Sequence, residues 1–343
     1  MILKCKSCCF RWMNKFVPWL CAAGLLVLIC GCGSASNGAL HIGVTIYDQS
    51  DTFISSVVRD IEELVQAEEG KVQMRIDLSV ENSGGNQTTQ MEQVSRMIQQ
   101  GCDVLCVNIV DRTAAASLID LAKAAELPII FFNREPVAED INRWEHVYYV
   151  GARAEQSGIL QGELVVQAWN EAQETVDRNG DGVLQYVMLE GEPGHQDALL
   201  RTEYSLQALS EAGLSVERLA GDTANWNRGQ AMAKTQKWIE EFGEEIEAVL
   251  SNNDDMALGA IDAFEEADIP LPLVVGVDAT EPAMEAIRTG KLYGTVRNDG
   301  EGIAAAVVQL ALAQSGKTNV NAPELVDRHY IWMEYETVEK APQ

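Results

Sequence analysis

The chain has 343 residues, is 47% hydrophobic and 22% charged, and carries a formal net charge of -27. That apolar content is enough for buried cores and argues against wholesale disorder; the length fits one large or two ordinary domains. A surface this acidic repels phosphate backbones and anionic lipid, so nucleic-acid binding is disfavoured.

The first 32 residues differ from the acidic body. They hold Lys4, Lys6, Arg11 and Lys15 and no acid; without these four cations the formal charge is -31. An apolar run over 16–30, broken only by Pro18, follows. A basic start before a short apolar core reads as a secretory leader, and the run is short for a membrane-spanning helix. It ends in Ile29, Cys30, Gly31 and Cys32, followed by Gly33, Ser34, Ala35 and Ser36. This layout resembles a bacterial lipoprotein box and predicts a chain cut before Cys32 and lipidated there. The body is then extracytoplasmic and lipid-anchored to the cell membrane. The alternative is an ordinary signal peptide with a chance cysteine. Six of the eight cysteines lie in this leader, leaving Cys102 and Cys106 in the body. In an extended strand four residues span ~13 Å, beyond disulfide reach, so these two read as small buried side chains.

From residue 41 strands and helices alternate. Strand-like runs at 42–47, 72–78, 104–108 and 128–132 enclose helical spacing at 55–68, 87–100 and 113–125. The alternation restarts with a helix at 155–169, then strands at 185–189, 215–219, 248–250 and 273–277. Helices at 197–212, 228–241 and 256–267 separate them. This order predicts an α/β protein of two doubly wound parallel-sheet lobes joined by a hinge. Continuous apolar strands fit burial on both faces. Residues 148–151 are the predicted crossing between lobes, and 293–296 begin the crossing back. The expected domains are a 1–32 leader, a first lobe of 38–150 plus 298–329, and a second of 151–297 plus 330–343.

Ligands of such folds sit beyond the carboxyl ends of the strands. In the first lobe those ends carry Asp48, Asp51 and Phe53, then Asn108 and Asp111, then Asn133, Arg134 and Glu135. In the second they carry His195, Asp197 and Arg201, then Asp222, Asn225 and Trp226, then Asn252, Asn253 and Asp254. Asp278, Asn298 and Asp299 follow the last two. Asp and Asn suit vicinal hydroxyls, Arg offers a fork of donors, and Phe or Trp covers C–H faces. Each polar residue also has a plain reading as the N-cap of the next helix. Residue types alone therefore reach a small polar ligand in a cleft.

Six segments sharpen this: 42–47 (IGVTIY), 131–136 (FFNREP), 148–151 (YYVG), 191–195 (GEPGH), 252–254 (NND) and 294–298 (GTVRN), with 276–278 (GVD) between the last two. Collinear over about 40–335, they resemble the galactose/glucose-binding periplasmic proteins. The resemblance implies a type I periplasmic binding protein, two lobes on a hinge, that captures D-glucose or D-galactose. It implies delivery to an ABC permease in the membrane and, in some bacteria, to a chemoreceptor; the chain is expected to be a monomer. It implies a sugar sandwiched between Phe53 and Trp226. Asp51 and Asn108 would contact it from the first lobe, and His195, Asp197 and Arg201 from the second. Asn253, Asp278 and Asn298 would complete the polar ring. Two departures stand out: Asp48 to Asp51 (DQSD) replaces a tyrosine-containing approach, and Gln196 stands where proline is common.

Asp177, Asn179, Asp181 and Gly182 match the first half of a calcium loop, in which alternate oxygens wrap a cation and the glycine turns the chain. Val183 would offer its backbone carbonyl. Position twelve is Met188 rather than a bidentate Glu, and a strand follows, so no EF-hand is expected. The resemblance supplies Gln185 as the ninth-position ligand and Glu247 as the missing carboxylate, making Ca2+ structural.

Asp197 and Asp278 could in principle pair for glycoside hydrolysis, but no P-loop, HExxH or nucleophile motif occurs, and no catalysis is expected. A sugar-responsive repressor would need a basic helix-turn-helix at the N-terminus, where the leader stands. A binder of a pentose or a galactoside is the alternative within the class.

Overall fold

Runs such as Val104–Val107 and Ile129–Phe132 have no polar side, so they are stable only where both faces of a sheet are covered. The computed structural model describes residues 38–339 and gives them that setting. The leader, with the predicted lipidation at Cys32, lies outside the described residues.

In the first lobe β1 (Leu40–Ile46), β2 (Ile76–Asn82), β3 (Val104–Val107), β4 (Ile129–Phe132) and β5 (Val147–Ala152) alternate with α1 (Thr52–Val72), α2 (Gln87–Gln99), α3 (Ala115–Ala124) and α4 (Ala138–Ile141). In the second, α5 (Ala154–Val176) precedes β6 (Leu184–Glu190), α6 (Gln196–Glu211), β7 (Val216–Thr223), α7 (Arg228–Phe242) and β8 (Ala248–Ser251). Then come α8 (Asp254–Glu266), β9 (Leu273–Asp278), α9 (Glu281–Arg288) and β10 (Gly294–Arg297). The chain returns through α10 (Gly300–Gln314) and β11 (Tyr330–Met333), and ends in β12 (Glu336–Glu339). Two six-stranded sheets result, in the orders β11-β5-β4-β3-β1-β2 and β12-β10-β9-β8-β6-β7. This is the two-lobed parallel α/β architecture that the resemblance implies. Each sheet is covered by two apolar clusters. Cys102 and Cys106 are free and buried.

Three expectations need correction. Residues 148–151 are not the first crossing: they lie inside β5 of the first sheet, and the chain leaves that sheet after Ala152. The alternating run at 72–78 is not one strand: α1 extends through Val72, Gln73 caps it with φ 52°, and β2 starts at Ile76. The 21-residue helix claims the start of the run because Val65 is buried and Val72 packs against the same core. The final crossing also lies later than position 330. Tyr330 to Met333 pair in parallel with Tyr149 to Ala152, so β11 belongs to the first sheet. Tyr330 and Trp332 stack at 5.1 Å, with Tyr149 edge-on to both, and these aromatic contacts hold the strand there. The chain crosses at Glu334 and Tyr335, and β12 pairs antiparallel with β10. Among the described residues no helix is long and apolar enough to cross a membrane.

Helices α7 and α8 approach closely through Gly259, where a Cβ would lie 2.2 Å from the Arg228 carbonyl oxygen and 3.0 Å from the Met232 nitrogen. Backbone cannot step aside as a side chain can. Gly259→Ala should therefore lower unfolding free energy by about 1–3 kcal/mol, seen as an earlier urea midpoint with an unchanged slope.

Candidate binding site between the lobes

In a parallel sheet each strand's carboxyl end feeds the amino end of the next helix, so turns and helix N-termini collect at one edge. Both lobes turn that edge to the same cleft. Tyr47, Asp51, Phe53, Ile54, Asn133 and Arg134 face it from the first lobe. His195, Asp197, Arg201, Trp226, Asn253 and Asp278 face it from the second. They line one narrow cavity of about 30 Å³ between the lobes.

Three of these residues are N-caps. Asp51 Oδ1 accepts from the Ile54 N–H at 2.9 Å, and Tyr47 donates its hydroxyl to Asp51 Oδ2. Asn253 Oδ1 accepts from the Met256 N–H at 3.0 Å, which leaves its amide N–H groups for the cleft. His195 Nδ1 accepts from the Asp197 N–H at 3.1 Å. An accepting Nδ1 places the ring proton on Nε2. Burial, with Arg134, Arg201 and Arg112 nearby, holds this imidazole well below its usual range, so at neutral pH it is an uncharged donor.

Arg201 is 3% exposed. Its Nη1 donates to the Asn252 carbonyl at 2.8 Å, and Nη2 to Tyr335 Oη at 3.2 Å and Asp197 Oδ2 at 3.4 Å. Asp278 Oδ1 lies 3.7 Å from Nη2. The Arg201 Nε and Asn298 Oδ1 atoms are buried without a partner. Burial pushes the Asp197 carboxyl up against the pull of Arg201, and pushes Asp278 well above the usual carboxylate range. Asp278 has φ 117°, a backbone state that non-glycine residues hold only where the surroundings enforce it.

Of the ten residues expected to bind, eight line this cavity. Asn298 adjoins it, donating to Asp278 Oδ1 at 3.4 Å, and faces a neighbouring groove with Phe53 and Gly300. Asn108 is one layer back and fully buried: its oxygen accepts from the Tyr47 N–H at 3.3 Å. Its nitrogen donates to the Phe132 carbonyl at 3.1 Å and to Asn133 Oδ1 at 3.2 Å. Its polar atoms shape the wall, and Asn133 stands between it and the cavity. Tyr47, Asn133 and Arg134 also line the cavity, without an assigned ligand role in the sequence. Their one signal was position at a strand end. Arg134 lies 3.4 Å from the Tyr47 ring centroid and crosses the cleft to Glu192 at 2.8 Å. Gln196, the departure from proline, makes a second crossing, to Glu135 at 3.1 Å.

The expected calcium ligands lie on the loop from α5 to the start of β6 and, in Glu247, just before β8. Asp177 Oδ1 accepts from Gly180 and Asp181 N–H groups at 2.8 and 3.1 Å, and Oδ2 from Gly182 at 2.9 Å. Asp181 Oδ1 accepts from the Val183 N–H at 2.8 Å. Asn179 Nδ2 lies 3.1 Å from Asp181 Oδ2 and 3.2 Å from Gln185 Oε1. Glu247 reaches in from before β8, accepting from Arg178 and Gln185 N–H groups at 2.6 and 3.1 Å. Its three carboxylates each hold backbone N–H groups and do not converge as a preformed carboxylate cluster. The donor set nevertheless fits a hard cation: five side chains with oxygens, two of them amides whose oxygen and nitrogen exchange by a half-turn.

Residues 42–318 match the periplasmic binding protein domain family. The D-galactose/methyl-galactoside binding periplasmic protein MglB of Haemophilus influenzae is 40% identical over 87% of this chain and 89% of its own length. A xylitol-binding protein of Mycolicibacterium smegmatis is 30% identical over 81% of this chain and 74% of its own. A solute-binding protein of an ABC transporter from Bacillus halodurans, solved with myo-inositol, superposes with a TM-score of 0.73 at 30% identity, covering 90% of this chain and 96% of that one. The chain belongs to the periplasmic binding protein family. It is thus an extracytoplasmic solute-binding protein and not an enzyme.

Gly191 sits under the Trp226 indole, where a Cβ would lie 2.1 Å from the ring. Gly191→Ala should displace the ring and shift the tryptophan emission and near-ultraviolet dichroism, while far-ultraviolet dichroism stays unchanged.

Proposed function

We propose that the protein binds D-glucose or D-galactose between its lobes and presents it to an ABC permease. The observation that carries this is one cavity flanked by Phe53 and Trp226 and rimmed by groups of both polarities. Asp51, Asp197 and Asp278 accept; Arg201 Nε, His195 Nε2 and Asn253 Nδ2 donate. A pyranose offers apolar faces and hydroxyls that donate and accept around its rim, so it meets both demands. The galactoside-binding relative from Haemophilus influenzae supports the hexose over a pentose or a polyol. Sugar contacts from both lobes favour the closed arrangement, which the permease then recognises. The lipoprotein box at Cys32 supports a tether that keeps the protein beside that permease.

Calorimetric titration with D-glucose, D-galactose and D-ribose tests the reading. One-to-one heat with a hexose and none with ribose is expected, and Trp226→Ala should weaken the hexose at least about ten-fold, since an aromatic contact and its burial exceed ~1.4 kcal/mol. No heat from any hexose with folded protein would overturn it. Because burial raises Asp197 and Asp278 and the sugar's hydroxyls favour the ionised carboxylates, affinity should fall on mild acidification. Binding should then release protons, visible as heats that depend on the buffer's ionisation enthalpy.

We further propose that Asp177, Asn179, Asp181, Val183 through its carbonyl, Gln185 and Glu247 hold one Ca2+. Bound to the folded loop only, the ion would clamp it to the start of β8. At a hundred times its dissociation constant, calcium should add ~2.7 kcal/mol. Chelator should lower the melting temperature, and in Glu247→Gln the calcium response should largely disappear.

A further inference from the structure

The last crossing between the lobes reaches the cavity through a residue that contacts no proposed ligand. Tyr335 lies between β11 of the first sheet and β12 of the second and is 5% exposed. Its backbone N–H donates to Gln156 Oε1 at 3.3 Å, and Gln156 Nε2 donates to Glu334 Oε2 at 3.0 Å. Both residues of the crossing are thereby pinned to the first turn of α5. The Tyr335 ring packs in the apolar cluster of Val275, Val277 and Val296, while its hydroxyl accepts from Arg201 Nη2 at 3.2 Å.

The guanidinium is planar, so fixing both Nη atoms fixes the direction of Nε. Nη1 is held by the Asn252 carbonyl at 2.8 Å. Nη2 has Tyr335 as its nearest acceptor, with Asp197 at 3.4 Å and Asp278 at 3.7 Å. Nε is the nitrogen left without a partner. Burial pushes the Tyr335 phenol up to about 12, so it meets the cation as a neutral acceptor and leaves Asp197 and Asp278 free to serve the cavity as well.

We propose that Tyr335 is a positioning residue for sugar binding: by holding Nη2 it aims the Arg201 Nε–H into the cavity and ties that aim to the third hinge crossing. This rests on the hexose reading above. Rotating the lobes apart must twist the chain near Glu334 and Tyr335, so the anchor of the arginine and the pivot of the hinge are one segment.

The test is Tyr335→Phe, which keeps the ring and removes only the acceptor. Its hexose dissociation constant should rise about ten-fold, the scale of a hydrogen bond to a buried charge, and, because that bond is present without sugar, the sugar-free protein should melt a few degrees lower. In an Arg201→Lys background, which lacks the fork, the same substitution should alter affinity by less than about two-fold. Unchanged affinity in Tyr335→Phe overturns the inference, and so does an equal loss in both backgrounds. A fall in melting temperature without loss of affinity assigns Tyr335 to packing alone. A wild-type protein that binds no hexose overturns the functional reading itself, an outcome distinct from normal wild-type binding with an indifferent Tyr335→Phe.

Discussion

The second lobe is organised around one buried cation. A guanidinium removed from water is tolerable only when its N–H groups are met by acceptors and its charge by carboxylates. Arg201 is met by the Asn252 carbonyl at the end of β8, by Asp197 on its own helix, by Asp278 at the end of β9 and by Tyr335 on the last crossing. Four segments distant in sequence are thus held to one group. The unusual backbone of Asp278 belongs to this set: its carboxylate is held by Asn298 and Arg201, so the surroundings fix a conformation that the residue would otherwise avoid.

Capping and ligand binding are not alternatives here. A cap needs one acceptor atom; His195 and Asn253 each have another polar atom to spare, and Asp51 has a second oxygen that Tyr47 orients. The helix holds the first atom in place, and that fixes the second against the cleft. Such a site pre-exists its ligand, because its side chains are already immobilised by the secondary structure they terminate. Asn108 shows the opposite use of the same residue type: both polar atoms of its side chain are engaged by neighbouring backbone and Asn133.

The lobes also meet through their own side chains. Arg134 to Glu192 and Gln196 to Glu135 cross the cleft beside the cavity. Glu192 is partly exposed, so the ion pair is a modest contribution to closure. It leaves room for a ligand that touches both lobes to govern the balance, as a population shift requires.

The alternation of strands and helices, the polar strand ends and the loop of alternate oxygens were legible in the sequence because each depends on local periodicity or spacing. Parallel topology sends every strand end to one edge, which put Asp51, Phe53, His195, Asp197, Trp226 and Asp278 among the candidates, and the family resemblance singled them out. Arg134 stands among the strand-end candidates and Tyr47 closes an apolar strand, but neither is assigned to the ligand by the sequence; only the approach of the two to each other brings them into the site. The β11 crossing was misplaced because a four-residue edge strand has no periodic signature, and the edge-on contacts of Tyr330 and Trp332 with Tyr149 of β5 decide its sheet. Sequence by itself determined the class of fold and the chemistry available at the cleft. Tertiary structure alone decided which of those groups converge, since side-chain direction and burial arise from contacts between segments far apart in the chain.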